Sequence, residues 1–440
     1  MTTISVHGLG YVGCVSAACL ASMGFRVIGV DVSDDKVALL AQGKSPVVEE
    51  KIGELTAEVV ASGMLTVTSD SHDAVLRSDI SLICVGTPST AGGGLSTVYL
   101  ETVSAVVGSA IAEKDRRHIV VYRSTMQPGT CEELLIPLLE QHSGKRVGVD
   151  FGVCVNPEYL REGTSVRDFF NPPKTVVGSI DSQTGEKVLS LYSGLPGERF
   201  HTPVRIAEMT KFVENSFHAL KVCFANEIGS VCAAMGLDSH DVMDIFIADT
   251  KLNLGPAYLR PGFAFGGSCL PKDVRALNDA ARRNNVDTPV LANLLNSNES
   301  HLRRALDLVV ADGRRNVGVF GLSFKPGTDD LRESPMVELV ERLIGKGFNV
   351  KIYDAEVSLS RLIGANRAYI RERLPHIGDL LVDDVNAVME QADIVVVTSK
   401  APEIVDAVSG IGADRLIVDL VRLPNIGQLS SGANYRGIAW

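Results

Sequence analysis

Between Pro261 and Asp273 the chain reads PGFAFGGSCLPKD, which sets Cys269 among two glycines, a proline, a lysine and an aspartate. That composition is odd for a core segment and suits a loop that carries a nucleophile. The Gly266-Gly267 pair lets backbone come close to a ligand, and Lys272 favours the thiolate of Cys269 electrostatically. A free cysteine is more often a core residue, which is the reading for most of the other seven, set in apolar strands or helices. Near the start, Gly8-Leu9-Gly10-Tyr11-Val12-Gly13 fits the GxGxxG pattern between a strand and an alanine-rich helix, and Asp31 closes the next strand 18 residues after Gly13. Helix N-terminal amides would there face a pyrophosphate. Asp31 would bond the adenosine ribose and repel a 2′-phosphate, so NAD is expected rather than NADP. The bland alternative is a tight strand-to-helix turn with no ligand. Together the two features point to one chemistry. An oxidation that stops at an aldehyde or ketone has no use for a cysteine, whereas one that continues to the acid holds the aldehyde covalently for a second hydride transfer. The pairing suggests a four-electron oxidation.

Other polar residues fall into patterns that could serve such a site. In KFVENSFHALKVCFANE, Lys211, Asn215 and His218 lie at i, i+4 and i+7, one polar stripe on an otherwise apolar helix. Such a stripe lines a cavity or forms the solvated edge of the helix, and a lysine and an amide there could bind a developing oxyanion. NPEYLREG places Glu158 and Glu162 four apart after a strand, with Glu162 a candidate base for activating water or a plain surface carboxylate. GLSFKPGTDDLRESP offers Gly321, Lys325, Gly327 and Arg332, a loop for phosphates or simple turn and capping chemistry. Tyr258, Arg260 and Phe263, just before the cysteine, could close over a ligand.

These residues need a frame. ISVHGLG, RVIGVDV, ISLICVG, HIVVYRS, GVDFGVCVNPE and KTVVGS alternate with helical stretches, which reads as a parallel sheet covered by helices on both faces. From 206 to 236 there is no proline, and glycine occurs only at Gly229 and Gly236, enough for roughly nine turns of helix. A helical stretch near 287–312 follows the cysteine loop. Then NVGVFGLSF, a helix from Pro335, NVKIYDAEV, a helical pattern near 384–391, DIVVVTS and RLIVDLV repeat the alternation. The expected architecture is α/β, with two doubly wound Rossmann-like domains joined by a long central helix and a helical middle domain. The expected limits are 1–202, 203–312 and 313–440. Two such domains fit a dinucleotide cofactor plus a nucleotide-bearing substrate.

At 440 residues the chain exceeds one hydrophobic core. Its net charge of −11 argues against sequence-independent nucleic-acid binding. The eight cysteines show no metal-type spacing, so neither a disulfide scaffold nor a structural metal is expected. The chain opens directly on a strand, so no signal peptide is expected, and no charge-free apolar run approaches the ~20 residues of a membrane span. A cytoplasmic, soluble enzyme is expected.

HGLGYVG, ICVGTPS, YRSTMQPGT, NPEYLREG, the Lys211 helix, PGFAFGGSCLPKDVRAL and GLSFKPGTDDLRESP, in this order and spacing, resemble the UDP-glucose/GDP-mannose dehydrogenase family. The resemblance runs through essentially the whole chain. It is closest to the GDP-mannose-oxidising branch through KLNL (Lys251 to Leu254) ahead of the cysteine segment. It implies oxidation of the sugar C6 hydroxyl of GDP-mannose to the acid with two NAD, or of a UDP-sugar such as UDP-glucose or a UDP-N-acetylhexosamine as the alternative. A non-catalytic sugar-nucleotide scaffold is a remote alternative, and an alginate-type polysaccharide is the implied destination. The resemblance makes Cys269 the nucleophile, has Lys211 and Asn215 stabilise the negative oxygens, has Asp273 move a proton through water, and has Glu162 position or activate the hydrolytic water. Gly8, Gly10, Tyr11, Val12, Gly13, Asp31, Lys36, Thr87, Thr125, Lys272 and Arg332 are implied to meet NAD. His218, Asn226, Tyr258, Arg260, Phe263, Gly266 and Lys325, together with Glu162, Lys211 and Asn215, are implied to meet the sugar nucleotide. Family members are dimers or larger homo-oligomers with shared sites, with the long helix at the interface and the arginine matching Arg260 reaching a neighbour's site. The sequence departs from the pattern at Pro256 and Ala257, where branch members can carry larger side chains, and at Met126, a position often held by a small aliphatic residue.

Overall fold

Strands buried on both faces are apolar at successive positions rather than alternate ones, and HIVVY, FGVCV and IVVV are such runs. A computed structural model describes residues 2–250, 258, 260–283, 285, 288–325, 327–357, 375–424 and 434–440. Lys251 to Leu254, Pro256 and Ala257, on which the branch resemblance and one departure rest, lie outside the described residues. The chain divides into two compact units, Met1–Glu214 and Asn215–Trp440.

The first unit holds eight strands: β1 (Thr3–His7), β2 (Arg26–Val30), β3 (Leu65–Thr68), β4 (Ile80–Ile83), β5 (His118–Tyr122), β6 (Phe151–Val155), β7 (Lys174–Ser179) and β8 (Glu198–Thr202). They lie in the order β3-β2-β1-β4-β5-β6-β7-β8. Neighbours pair parallel except β6 and β7, which run antiparallel, a departure from the uniformly parallel sheet expected. The chain between them, Asn156 to Pro173, stays at the carboxyl end of β6 instead of crossing a face, so NPEYLREG remains at that end. Strand order reverses between β1 and β4, which opens a crevice outside their carboxyl ends. Pleating sends Ile119 and Val121 of β5 into one core and Val120 and Tyr122 into the core on the other face.

The second unit carries the parallel sheet β10-β9-β11-β12-β13, built from β9 (Asn316–Phe320), β10 (Asn349–Tyr353), β11 (Ile394–Val397), β12 (Leu416–Asp419) and β13 (Asn434–Gly437). Among the described residues of 203–312 there is no strand. That stretch contains the helices Val204–Ala234, Ser239–Ile247, Leu270–Arg283 and Pro289–Val310. The proline-free run is the 31-residue helix Val204–Ala234, and the division between units falls within it. Its Gly229 permits close packing, because a Cβ there would lie 2.8 Å from that of Ala439 and 3.0 Å from that of Pro261. No helix among the described residues is long and apolar enough to cross a membrane.

Candidate active site

In the first unit the glycines shape the turn after β1. Gly8 has φ +90°, which favours glycine, and a Cβ on Gly13 would sit 1.8 Å from the Gly8 carbonyl oxygen. Around Gly10 a Cβ would meet nothing within 4 Å, which leaves room for phosphate oxygens. Gly10 is the N-cap of the helix Tyr11–Ser22 and offers no side-chain cap, so the first amides point outward. Val12 packs against the core beneath. Asp31, 7% exposed, accepts from Leu9 N at 2.7 Å and Ser33 N at 2.9 Å, and pairs with Lys36 Nζ at 3.0 Å. Thr87 Oγ1 donates to the Thr125 carbonyl at 2.8 Å, which joins the loops after β4 and β5. The open Gly10 position, the bare amides and the fixed Asp31 carboxylate fit a dinucleotide.

Lys211 and Glu158 form a buried ion pair at 2.8 Å. Burial pushes the Glu158 carboxyl up. The Lys211 ammonium, its hydrogen bond and then Arg123 outweigh burial and hold the carboxyl below its ordinary range. Arg123 is buried and donates to Asn156 Oδ1 at 2.6 Å, and Asn156 Nδ2 donates to the Val176 carbonyl at 2.8 Å. Thr125, Met126, Glu158, Glu208 and Lys211 border one small cleft. Glu208 accepts from Gly129 N at 2.6 Å and Cys131 N at 2.9 Å, which anchors the turn after Thr125. Glu162 is partly buried, and its charge acts on the Tyr11 phenol.

In the second unit Cys269 is the exposed cysteine; the other seven are buried. Its carbonyl accepts from Asp273 N at 2.9 Å, so it opens the helix Leu270–Arg283 and lies where helix amides favour an anion. Asn215 Nδ2 donates to Asp273 Oδ2, while Lys272 Nζ lies 3.1 Å from Asp273 Oδ1. Asp273 is 1% exposed. Gly266 is obligatory for space, because a Cβ would meet the Glu333 carbonyl oxygen at 2.3 Å, and Gly267 N donates to that same oxygen at 3.2 Å. Asn226 Oδ1 accepts from Gly262 N at 3.0 Å and its Nδ2 donates to Phe263 O at 3.4 Å. Asn298 grips both backbone groups of Phe265 at 2.8 Å, and His301 Nε2 bonds the Gly262 carbonyl at 2.6 Å. Phe263 packs on the adjoining core.

His218 stacks on Tyr258 with ring centroids 4.9 Å apart. Arg260 pairs with Asp244 at 3.1 Å, and Arg332 forks onto Asp330 at 2.6 and 2.8 Å. Ser323 Oγ donates to the Lys325 carbonyl at 3.1 Å. Sequence reasoning thus missed Glu158 as the partner of Lys211, the arginine behind it, and Asn298 and His301 under the cysteine loop. Glu158 was visible as a carboxylate four residues before Glu162. The others had no signal, since a side chain that grips backbone leaves no periodicity.

Models of three domains of one family match the chain in order. They are the NAD binding domain of the UDP-glucose/GDP-mannose dehydrogenase family at residues 2–195, its central domain at 205–300 and its UDP binding domain at 318–424. A GDP-mannose 6-dehydrogenase of Pseudomonas aeruginosa is 48% identical over 99% of this chain and 100% of its own. Among solved structures, a UDP-glucose dehydrogenase from Pyrobaculum islandicum is similar at TM-score 0.90 and 33% identity, covering 100% of this chain and 98% of its own. A ternary complex of a GDP-mannose dehydrogenase from Pseudomonas aeruginosa is similar at TM-score 0.57 and 48% identity, covering 99% and 100%.

Proposed function

The chain belongs to the UDP-glucose/GDP-mannose dehydrogenase family, NAD-dependent dehydrogenases of nucleotide sugars, and from that premise we propose that it oxidises the C6 hydroxyl of GDP-mannose to the carboxylate of GDP-mannuronate. One observation carries the chemistry: of eight cysteines, Cys269 alone is exposed, in a loop held by backbone-directed side chains at a helix N-terminus. The substrate follows the relative that is 48% identical over 99% of the chain.

NAD, when bound, supplies the hydride acceptor, twice per substrate. Asp273, through a water, takes the hydroxyl proton as the alcohol becomes the aldehyde. The Cys269 thiolate adds to the aldehyde carbon, and Lys211 and Asn215 donate to the oxygen that becomes negative. Loss of the second hydride leaves a thioester on Cys269. Glu162 draws a proton from the water that attacks the thioester carbonyl, the C–S bond breaks, and Cys269 leaves as thiolate. The expected limits 1–202, 203–312 and 313–440 are retained as the cofactor, central and nucleotide-sugar domains. A second reading, a UDP-sugar 6-dehydrogenase, is supported by the likeness of residues 318–424 to a UDP binding domain.

Cys269→Ser should form no GDP-mannuronate while still binding NAD. Acid formation by that variant at the wild-type rate would overturn the covalent scheme.

The long helix also exposes Ile206, Met209, Val213, Phe217 and Phe224, an apolar stripe at helical spacing. It is assigned to pairing with a second copy of this chain.

A further inference from the structure

A carboxylate that no motif singles out joins the cofactor turn to the loop of the water-activating glutamate. Glu49 is 8% exposed. Its Oε2 accepts from the Tyr11 hydroxyl and, at 2.8 Å, from Gly163 N, while its Oε1 accepts from Glu50 N at 3.2 Å. Tyr11 follows Gly10 directly and Gly163 follows Glu162 directly. The segment that presents Glu49 is itself fastened. Ser45 bonds Val47 in both directions, at 2.8 and 3.2 Å, and lies 3.8 Å from Cys14 Sγ on the first helix. Val12, Val47 and Leu160 pack on one core. Lys51, at φ +65°, ends the segment in a left-handed turn that starts the helix Ile52–Ala61.

We propose that Glu49 is a positioning residue that holds the Glu158–Gly163 loop, and with it Glu162, in fixed relation to the cofactor turn for thioester hydrolysis. Both donors meet a single buried carboxylate oxygen, the charge-assisted arrangement that fixes geometry best. Burial and the Glu49 hydrogen bond push the Tyr11 phenol up, which keeps its proton in place as the donor. Removing the carboxylate strands both donors and frees Gly163. Displacement of Glu162 should then slow water activation while leaving the hydride transfers that precede it.

The proposal rests on the four-electron reading with Glu162 at the hydrolytic step, and the test separates the two. Wild type, Glu49→Ala, Glu49→Gln and Glu49→Asp are mixed with GDP-mannose at saturating NAD, with NADH followed in the burst and at steady state. The Cys269 peptide is weighed after acid quench. Glu49→Ala should release two NADH per site rapidly and then run about 10-fold or more below wild type, with the Cys269 peptide carrying the acyl mass. Glu49→Asp, which keeps the charge but draws the carboxylate back by one methylene, should show the same pattern more weakly and carries the test should Glu49→Ala fail to fold. Glu49→Gln keeps an acceptor for Gly163 and should recover most of the rate. Equal losses of burst and steady rate in Glu49→Ala and Glu49→Asp, with no acyl mass, would overturn the proposal. A wild type that yields one NADH per sugar and no adduct would remove the underlying reading, and the proposal with it.

Discussion

Lys211 and Glu158 lie 2.8 Å apart with side-chain exposures of 8% and 9%, so the ammonium offsets what burial costs the carboxylate. With Arg123 also bearing on Glu158, two cations face one carboxylate, the surplus of positive charge that the proposed oxyanion role of Lys211 requires. Lys211→Met should therefore lower kcat by about 10²-fold or more. It should also change the pH dependence of stability. The Glu158 carboxyl is held low in the folded protein, so its contribution is present above the ordinary carboxylate value and is lost as pH falls through the lowered one. Without Lys211 burial raises the Glu158 carboxyl and acid unfolding should begin at higher pH, read as the thermal midpoint against pH. An unchanged acid limb would mean that Glu158 does not depend on Lys211. The i, i+4 spacing of Lys211 and Asn215 on one helix was legible in the sequence. The pairing with Glu158 was not, because it joins a helix to a loop remote in sequence.

The proposed chemistry turns on the cysteine loop, whose shape is fixed from below. Asn226, Asn298 and His301 hold the backbone from Gly262 to Phe265, and Gly266 and Gly267 lie against the loop that contains Phe324, Glu333 and Pro335. Gly266→Ala would place a Cβ 2.3 Å from a carbonyl oxygen and 2.4 Å from Pro335 Cδ, and backbone there has little freedom to yield. A loss of about 1–3 kcal/mol is expected, read by denaturant unfolding, together with faster alkylation of Cys269 as the loop loosens. Unaltered stability and alkylation would show that the contact is soft. The strands with apolar runs were legible, and so was the long helix from its missing prolines. β3, β8 and β13 were not: LTVT is only four residues long, ERFHT is an exposed edge, and NYRG has no apolar run. The antiparallel turn into β7 was hidden as well, because strand composition does not record direction.

At the scale of the molecule, two doubly wound sheets and a helical stretch between them carry a reaction that needs a dinucleotide and a nucleotide sugar. The glycine turn and Asp31 were readable as local features, so an NAD-dependent dehydrogenase was accessible from sequence. Glu49, which joins Tyr11 to Gly163, and Glu208, which anchors the turn at Gly129 and Cys131, were not. The apolar stripe on Val204–Ala234 belongs to this scale too. Val213→Glu should shift the protein toward monomer in light scattering, and an undiminished oligomer would place the interface elsewhere. The central claim is the four-electron oxidation, and the count of NADH formed per GDP-mannose consumed tests it most directly. Two NADH per sugar are expected, with UDP-glucose and UDP-N-acetylhexosamines inert. One NADH per sugar would contradict it and remove the thioester from Cys269.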